Sequence, residues 1–143
     1  MIKKISFLPE FIPLIREGKK TVTRRVKKKN TGVYYFTAGR TGKKEGYILI
    51  IRCEPVKLAN SFYISYACPA EPINPRTRNE VRLEGIDSLV GFISLWDKLT
   101  TKKYRWPEYR AESLEIEDPL IYRIEFKYIG EGYEQNTMAR LLV

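Results

Sequence analysis

Gly18-Lys19-Lys20-Thr21-Val22-Thr23-Arg24-Arg25 brings a flexible residue, two amines, two hydroxyls and two guanidiniums into consecutive positions. Upstream, Leu8, Phe11, Ile12 and Ile15 form one apolar stripe at helical spacing. Pro13 is tolerated in a first helical turn, so a helix is expected to begin near Ile12 and run to about Glu17. Gly18 can adopt the left-handed conformation that ends such a helix. The β-branched Thr21, Val22 and Thr23 then favour extension. Along that strand Thr21, Thr23 and Arg25 point to one face and Val22 and Arg24 to the other, so a hydroxyl and a guanidinium share a wall. Lys20, at the turn, is free to lean toward the same wall.

Charge extends the motif. Lys19, Lys20, Arg24, Arg25, Lys27, Lys28 and Lys29 lie close together in a chain of 143 residues with net charge +9 and pI near 9.6. Such a balance favours an anionic ligand or polyanion. A second basic segment, Lys102-Lys103-Tyr104-Arg105-Trp106, interleaves cations with aromatics, as base stacking combined with phosphate contact requires. There are no histidines and only two cysteines, Cys53 and Cys68, which removes Cys/His zinc clusters, Cys-His pairs and Ser-His-Asp triads. Catalysis would fall to Lys, Thr, Glu, Asp, Tyr or Cys, and no metal or cofactor is expected. The cysteines are compatible with a disulfide, although reduced thiols are the usual state in an intracellular protein.

Length and a 43% hydrophobic content suit one domain spanning 1–143. No apolar run approaches the roughly 18 residues of a membrane span, and the N-terminus lacks a secretory signal, so a cytoplasmic protein without a membrane partner is expected. Strands are expected at 2–7, 33–36 and 47–51, the last covered on both faces, with 54–58 continuing the sheet. The loop 39–46 lacks the glycine spacing of a P-loop. Pro69, Pro72 and Pro75 predict an irregular loop carrying Arg76 and Arg78. Asp87 or Ser88 can cap a helix with Leu89, Phe92, Ile93, Trp96 and Leu99 on one stripe, with Trp96 in the core. After a loop over 104–119, residues 120–129 alternate as a strand with one buried and one charged face.

The spacing G-x-K-x-x-T-x-R, filled by Gly18, Lys20, Thr23 and Arg25, resembles the signature of the ASCH domain family, whose fold is like that of PUA RNA-binding domains. Glu84-Gly85-Ile86-Asp87-Ser88, the helical run with Phe92 and Trp96, and Tyr122-Arg123-Ile124-Glu125-Phe126 look like the family's later landmarks. The resemblance covers about 2–129, leaves 130–143 as a C-terminal extension, and places nothing between about 60 and 80. It implies an α+β fold, a small mixed PUA-like β-barrel with two main helices against its ends, and a basic cleft for RNA or a nucleotide. Gly18, Lys19, Arg24, Arg25, Lys27 and Lys28 would contact the ligand, the partner being RNA or a modified nucleoside.

In relatives that hydrolyse N4-acetylcytidine a lysine, a threonine and a glutamate act together, and the matching positions are Lys20, Thr23 and Glu84. The resemblance thus implies an enzymatic alternative, deacylation of such an amide, with single-stranded RNA cleavage behind it. Thr23 would attack, a neutral Lys20 would take the proton, and Glu84 would orient the lysine or relay the proton. An ordinary lysine is protonated at neutral pH, so burial or a neighbour such as Arg25 must depress its pKa, while Glu84 acts in the opposite direction. Without the resemblance, each of the three has an ordinary role as a surface amine, a strand residue or a cap-region carboxylate.

Overall fold

The computed structural model describes residues 2–64, 74–107 and 117–132. Strand β1 (Lys3–Phe7) leads through a 3-10 turn at Pro9–Phe11 into the short helix α1 (Ile12–Arg16). Then come β2 (Val22–Arg25), β3 (Gly32–Ala38), the long β4 (Lys44–Lys57) and a 3-10 turn at Asn60–Phe62. Helices α2 (Pro75–Leu83) and α3 (Leu89–Leu99) follow, then a 3-10 turn at Lys102–Tyr104 and β5 (Leu120–Gly130).

The strands form one mixed sheet in the order β1-β3-β4-β5-β2, curled into a half-barrel. Strand β1 runs parallel to β3, with Ile5 opposite Phe36, and all other pairings are antiparallel. Curling brings the two edge strands within side-chain reach: Arg25 of β2 donates from Nη2 to the Ser6 carbonyl of β1 at 2.7 Å. Where the barrel fails to close by backbone pairing, a guanidinium spans the opening.

Two apolar clusters flank the sheet. Ile5, Phe7, Ile15, Phe36, Ile48 and Phe126 fill the half-barrel under α1. Leu58, Phe62, Val81, Phe92, Trp96 and Trp106 form the second, between the sheet and helices α2 and α3. Strand β5 serves both, through Phe126 in the first and Ile121 in the second. Trp96 lies in the core, as its spacing predicts. Ser88 caps α3, its Oγ accepting from the Gly91 N–H at 3.0 Å.

Two expectations need correction. Among the described residues there are three helices rather than two, because α2 occupies 75–83, where the prolines suggest a loop. Pro75 stands in the first turn, where its missing N–H has no intrahelical role, and Asn74 caps the helix by accepting from the Thr77 N–H at 2.9 Å. The run 47–51 is covered only as far as Ile50. A register shift in the β4–β5 ladder between Ile50 and Arg52 leaves Ile51 without a partner and 52% exposed.

Cys53 is a half-buried thiol accepting a long 3.5 Å hydrogen bond from the Lys29 N–H. The disulfide alternative involves Cys68, which lies outside the described residues, as do Pro69, Pro72 and all of the C-terminal extension beyond 132. Among the described residues no helix is long and apolar enough to cross a membrane.

Phe62 is fully buried, packing at 4.6 Å on Phe92 and 5.8 Å on Trp106 between ring centroids. Phe62→Ala is expected to cost roughly 3–5 kcal/mol, read as a lower urea midpoint at unchanged m-value. Val90→Ala, at a position 58% exposed on α3, is the comparison and should stay within about 0.5 kcal/mol.

Candidate functional site

Two helix ends meet at Lys20. After α1 the chain turns at Gly18, whose φ of 75° is left-handed, and the N–H groups of Lys19 and Lys20 both bond the Leu14 carbonyl, at 2.9 and 3.1 Å. The turn reverses the chain and sends the Lys20 side chain inward. Helix α2 ends in a Schellman arrangement: Gly85 has φ 80°, its N–H bonds the Arg82 carbonyl at 2.9 Å, and the Ile86 N–H bonds Val81 at 3.2 Å. A Cβ at Gly85 would lie 3.1 Å from Lys20 Cβ and 3.2 Å from Leu14 Cδ1, so glycine is required by close approach as well as by φ. The Thr21 N–H bonding Leu83 at 3.0 Å ties the two ends together.

Lys20 is only 2% exposed. Its Nζ donates to the Glu84 carbonyl at 2.6 Å, to the Val22 carbonyl at 2.9 Å and to Glu84 Oε1 at 3.3 Å, and lies 4.5 Å from the Phe11 ring centre. Burial pulls its pKa down from 10.5 to about 8; Glu84 opposes the fall and Arg25 adds to it. A neutral amine keeps two donors, which suffices for the two carbonyls. The long 3.3 Å bond is then the natural one to give up.

Glu84 sits at the C-terminal end of α2, where the helix dipole disfavours a carboxylate. Two cations compensate: Lys20 on Oε1, and Arg24, whose Nη1 donates to Oε2 at 2.7 Å. Arg24 is buried. Its Nη2 donates to Glu80 Oε1 at 2.6 Å, its Nε to Ser61 Oγ at 2.9 Å, and its guanidinium carbon lies 3.8 Å from the Phe62 ring centre. Arg123 completes the network with bonds to both Glu80 oxygens, at 2.7 and 3.0 Å. Burial raises the Glu80 pKa, but its bonds and charge pairing with Arg123 and Arg24 outweigh that and hold it below the usual glutamate value.

These groups border a cleft of about 360 Å³, a volume suited to a nucleoside-sized ligand. Its polar wall is Lys20, Thr23, Arg24, Arg25 and Glu84, and Phe7, Phe11, Phe92 and Trp96 supply apolar surface. As the strand alternation predicts, Thr23 and Arg25 share a face: Arg25 Nε donates to Thr23 Oγ1 at 3.1 Å. That bond occupies a lone pair of the hydroxyl and leaves its proton free. The Arg25 guanidinium lies 4.9 Å from the Phe7 ring centre and forms no direct ion pair among the described residues, although the Glu84 charge acts on it. No hydrogen bond joins Lys20 to Thr23 among the described residues, so a proton passing between them needs a bound substrate or water.

The structure therefore brings together Lys20, Thr23, Arg24, Arg25 and Glu84. Gly18, Lys19, Lys27 and Lys28 do not line the cleft; Lys19 is exposed and pairs with Glu17 at 2.9 Å, and Lys27 and Lys28 are exposed beyond β2. Glu80, Ser61 and Phe11 are the participants that sequence patterning does not single out. Phe11 belongs to an ordinary apolar stripe, and Glu80 gives no signal until α2 is placed. No group of three or more Cys, Asp or Glu side chains that could hold a metal ion occurs among the described residues. Comparison with protein families, with curated proteins and with solved structures found no match.

Three outcomes follow from the network. Removing the Glu84 charge takes away what holds the Lys20 pKa up, so Glu84→Gln should move the Lys20 titration, followed by NMR of the lysine side chains, from about 8 to a lower value. Because the folded value lies below 10.5, the unfolded chain binds more protons between about pH 8 and 10.5, and Lys20 should contribute stability that rises with pH across that window. Arg24→Ala strands buried carboxylate oxygens and should cost roughly 3–5 kcal/mol in denaturant unfolding.

Proposed function

We propose that this chain is an ASCH-like, PUA-like domain whose cleft binds a nucleoside unit of RNA or a nucleotide, and that Lys20, Thr23 and Glu84 deacylate an N4-acetylcytidine-type amide there. The observation that carries the proposal is Lys20: a lysine buried on the cleft wall, with a pKa of about 8, lining the same cleft as a hydroxyl whose proton has no acceptor among the described residues. The aromatic wall suits a base, and the Arg25 donors that have no acceptor among the described residues suit a carbonyl or anionic group.

In the hydrolytic reading the Thr23 oxygen bonds to the acyl carbon as its proton passes to neutral Lys20. The carbonyl electron pair moves onto oxygen, where the Arg25 guanidinium stabilises it. Collapse breaks the bond to the exocyclic nitrogen, which takes its proton from the Lys20 ammonium. Water then cleaves the acyl-threonine, so one water is consumed and acetate and the free amine are released. Glu84 keeps Nζ in place and favours the ammonium form when the proton arrives.

Thr23→Ala and Lys20→Ala are each expected to lower acetate release from N4-acetylcytidine by roughly a hundredfold or more. The wild-type rate should rise with pH through about 8. A rate flat across that range excludes Lys20 as the base, and a wild type that releases no acetate leaves binding alone. Ligand affinity should fall further with Arg25→Ala, on the cleft wall, than with Lys28→Ala, outside it.

A further inference from the structure

Val26, next to Arg25, lines both the cleft and a second, larger hollow of about 1020 Å³. The hollow borders the segment 102–107, where the basic and aromatic residues noted in the sequence come together. Lys57, Lys102, Lys103 and Arg105 stand on its walls, all exposed and none in an ion pair with a carboxylate among the described residues. The acids on the same walls are Glu117 and Asp118. Asp118 is already engaged, accepting from the N–H groups of Ala59 and Asn60 at 2.8 and 3.0 Å. Among the described residues the walls thus carry four cations against two carboxylates, an excess of two positive charges.

Its rings divide into two kinds. Tyr104 and Tyr122 are half-buried where they line the hollow, Tyr104 with Lys103 Nζ 5.6 Å from its ring centre and packed on the second cluster, Tyr122 packed on the first. Trp106 is buried against Phe62 and Phe92 and belongs to the floor. Its Nε1–H is buried without an acceptor among the described residues and is closed off from the hollow. An acidic peptide would satisfy the cations but would have no use for the tyrosine faces or for continuity with a base-sized cleft.

We infer that this hollow is a tracking groove for single-stranded nucleic acid, holding the nucleotides that flank the one in the cleft, so that the ligand is a polynucleotide rather than a free nucleoside. Phosphates lie on Lys57, Lys102, Lys103 and Arg105, and bases stack on Tyr104 and Tyr122. The inference rests on reading the cleft as a nucleoside site, and Val26 marks where the strand passes from one to the other.

The test measures fluorescence anisotropy of a labelled single-stranded RNA octamer with the full chain, alongside a DNA octamer of the same sequence, polyglutamate, and cytidine measured by calorimetry. In the triple variant Lys102→Ala/Lys103→Ala/Arg105→Ala the ratio of octamer to cytidine affinity should fall at least about tenfold. The slope of log affinity against log salt should shrink by about 2, at roughly 0.7 for each phosphate that is no longer neutralised. Tyr104→Ala should weaken the octamer roughly 5- to 100-fold with the salt slope unchanged. The backbone carbonyl of Tyr104, which accepts from Trp96 Nε1 at 2.7 Å, remains in that variant.

Photocross-linking of a 4-thiouridine octamer to the wild type needs no variant to fold and should label the segment 102–107. DNA binding equal to RNA binding supports the groove and assigns it no 2′-hydroxyl recognition. An unchanged affinity ratio in the triple variant, cross-links confined to other segments, or polyglutamate bound as tightly as the octamer overturns the groove. If cytidine does not bind while the octamer still responds to the triple variant, the cleft reading falls and the groove stands.

Discussion

The buried Arg24 guanidinium is the interaction on which the site depends. It lies on the face of β2 opposite Thr23 and Arg25 and joins that strand to α2 through Glu80 and Glu84 and to the turn before α2 through Ser61. Charge explains why nothing simpler would serve. Lys20, Arg24 and Arg25 leave the same short stretch, and three cations held that close in a poorly solvated place repel one another. Glu80 and Glu84, one turn apart on α2, make the arrangement tolerable, and Arg123 in β5 shares Glu80. A buried network of this kind is weak evidence for net stability. Its structural effect is orientation: with one Glu84 oxygen fixed on Arg24, the other has a defined place beside Lys20.

Lys20 is tuned by opposing effects of similar kind. Desolvation, Arg25 and Arg24 push its proton off, and the Glu84 carboxylate, by charge and hydrogen bond, holds it on. The result, near 8, is where a group can both take and return a proton at physiological pH. Helix geometry contributes as well. Lys20 bonds the Glu84 carbonyl, one of the groups left unsatisfied at the end of α2, so the same amine completes a helix terminus and faces the cleft.

Much of this was legible in the sequence because it follows periodicity. Alternation placed Thr23 and Arg25 on one wall and Ile124 and Phe126 of β5 in the core, and Ser88 was one of two candidate caps, whereas Ile121, on the side of β5 read as charged, is buried in the second cluster. Helix α2 was not, because the residues it buries are Thr77, Glu80 and Val81. A face buried by ion pairs and a hydroxyl leaves no hydrophobic stripe to detect. The bracketing signals were present, Asn74-Pro75 at the start and Glu84-Gly85 at the end, but the proline carried the weight as a breaker. Direction was the other obscure quantity. Lys19, Lys20 and Arg24 look alike in a basic run, and only the turn at Gly18 and the partners on α2 decide that Lys19 stays in solvent while Lys20 and Arg24 go inside.

The partners in the site are far apart along the chain: Lys20 and Glu84 are separated by 64 positions and Arg24 and Glu80 by 56. None of these bonds is available to a locally formed hairpin or helix, so each must wait for a large loop to close, whose entropy is repaid only when β2 and α2 dock. Before that moment Lys20 is an ordinary hydrated amine and Glu84 an ordinary carboxylate. The altered acidity is thus absent from chains in which β2 and α2 have not docked, so at a pH between the two lysine values the amine should release its proton when they do.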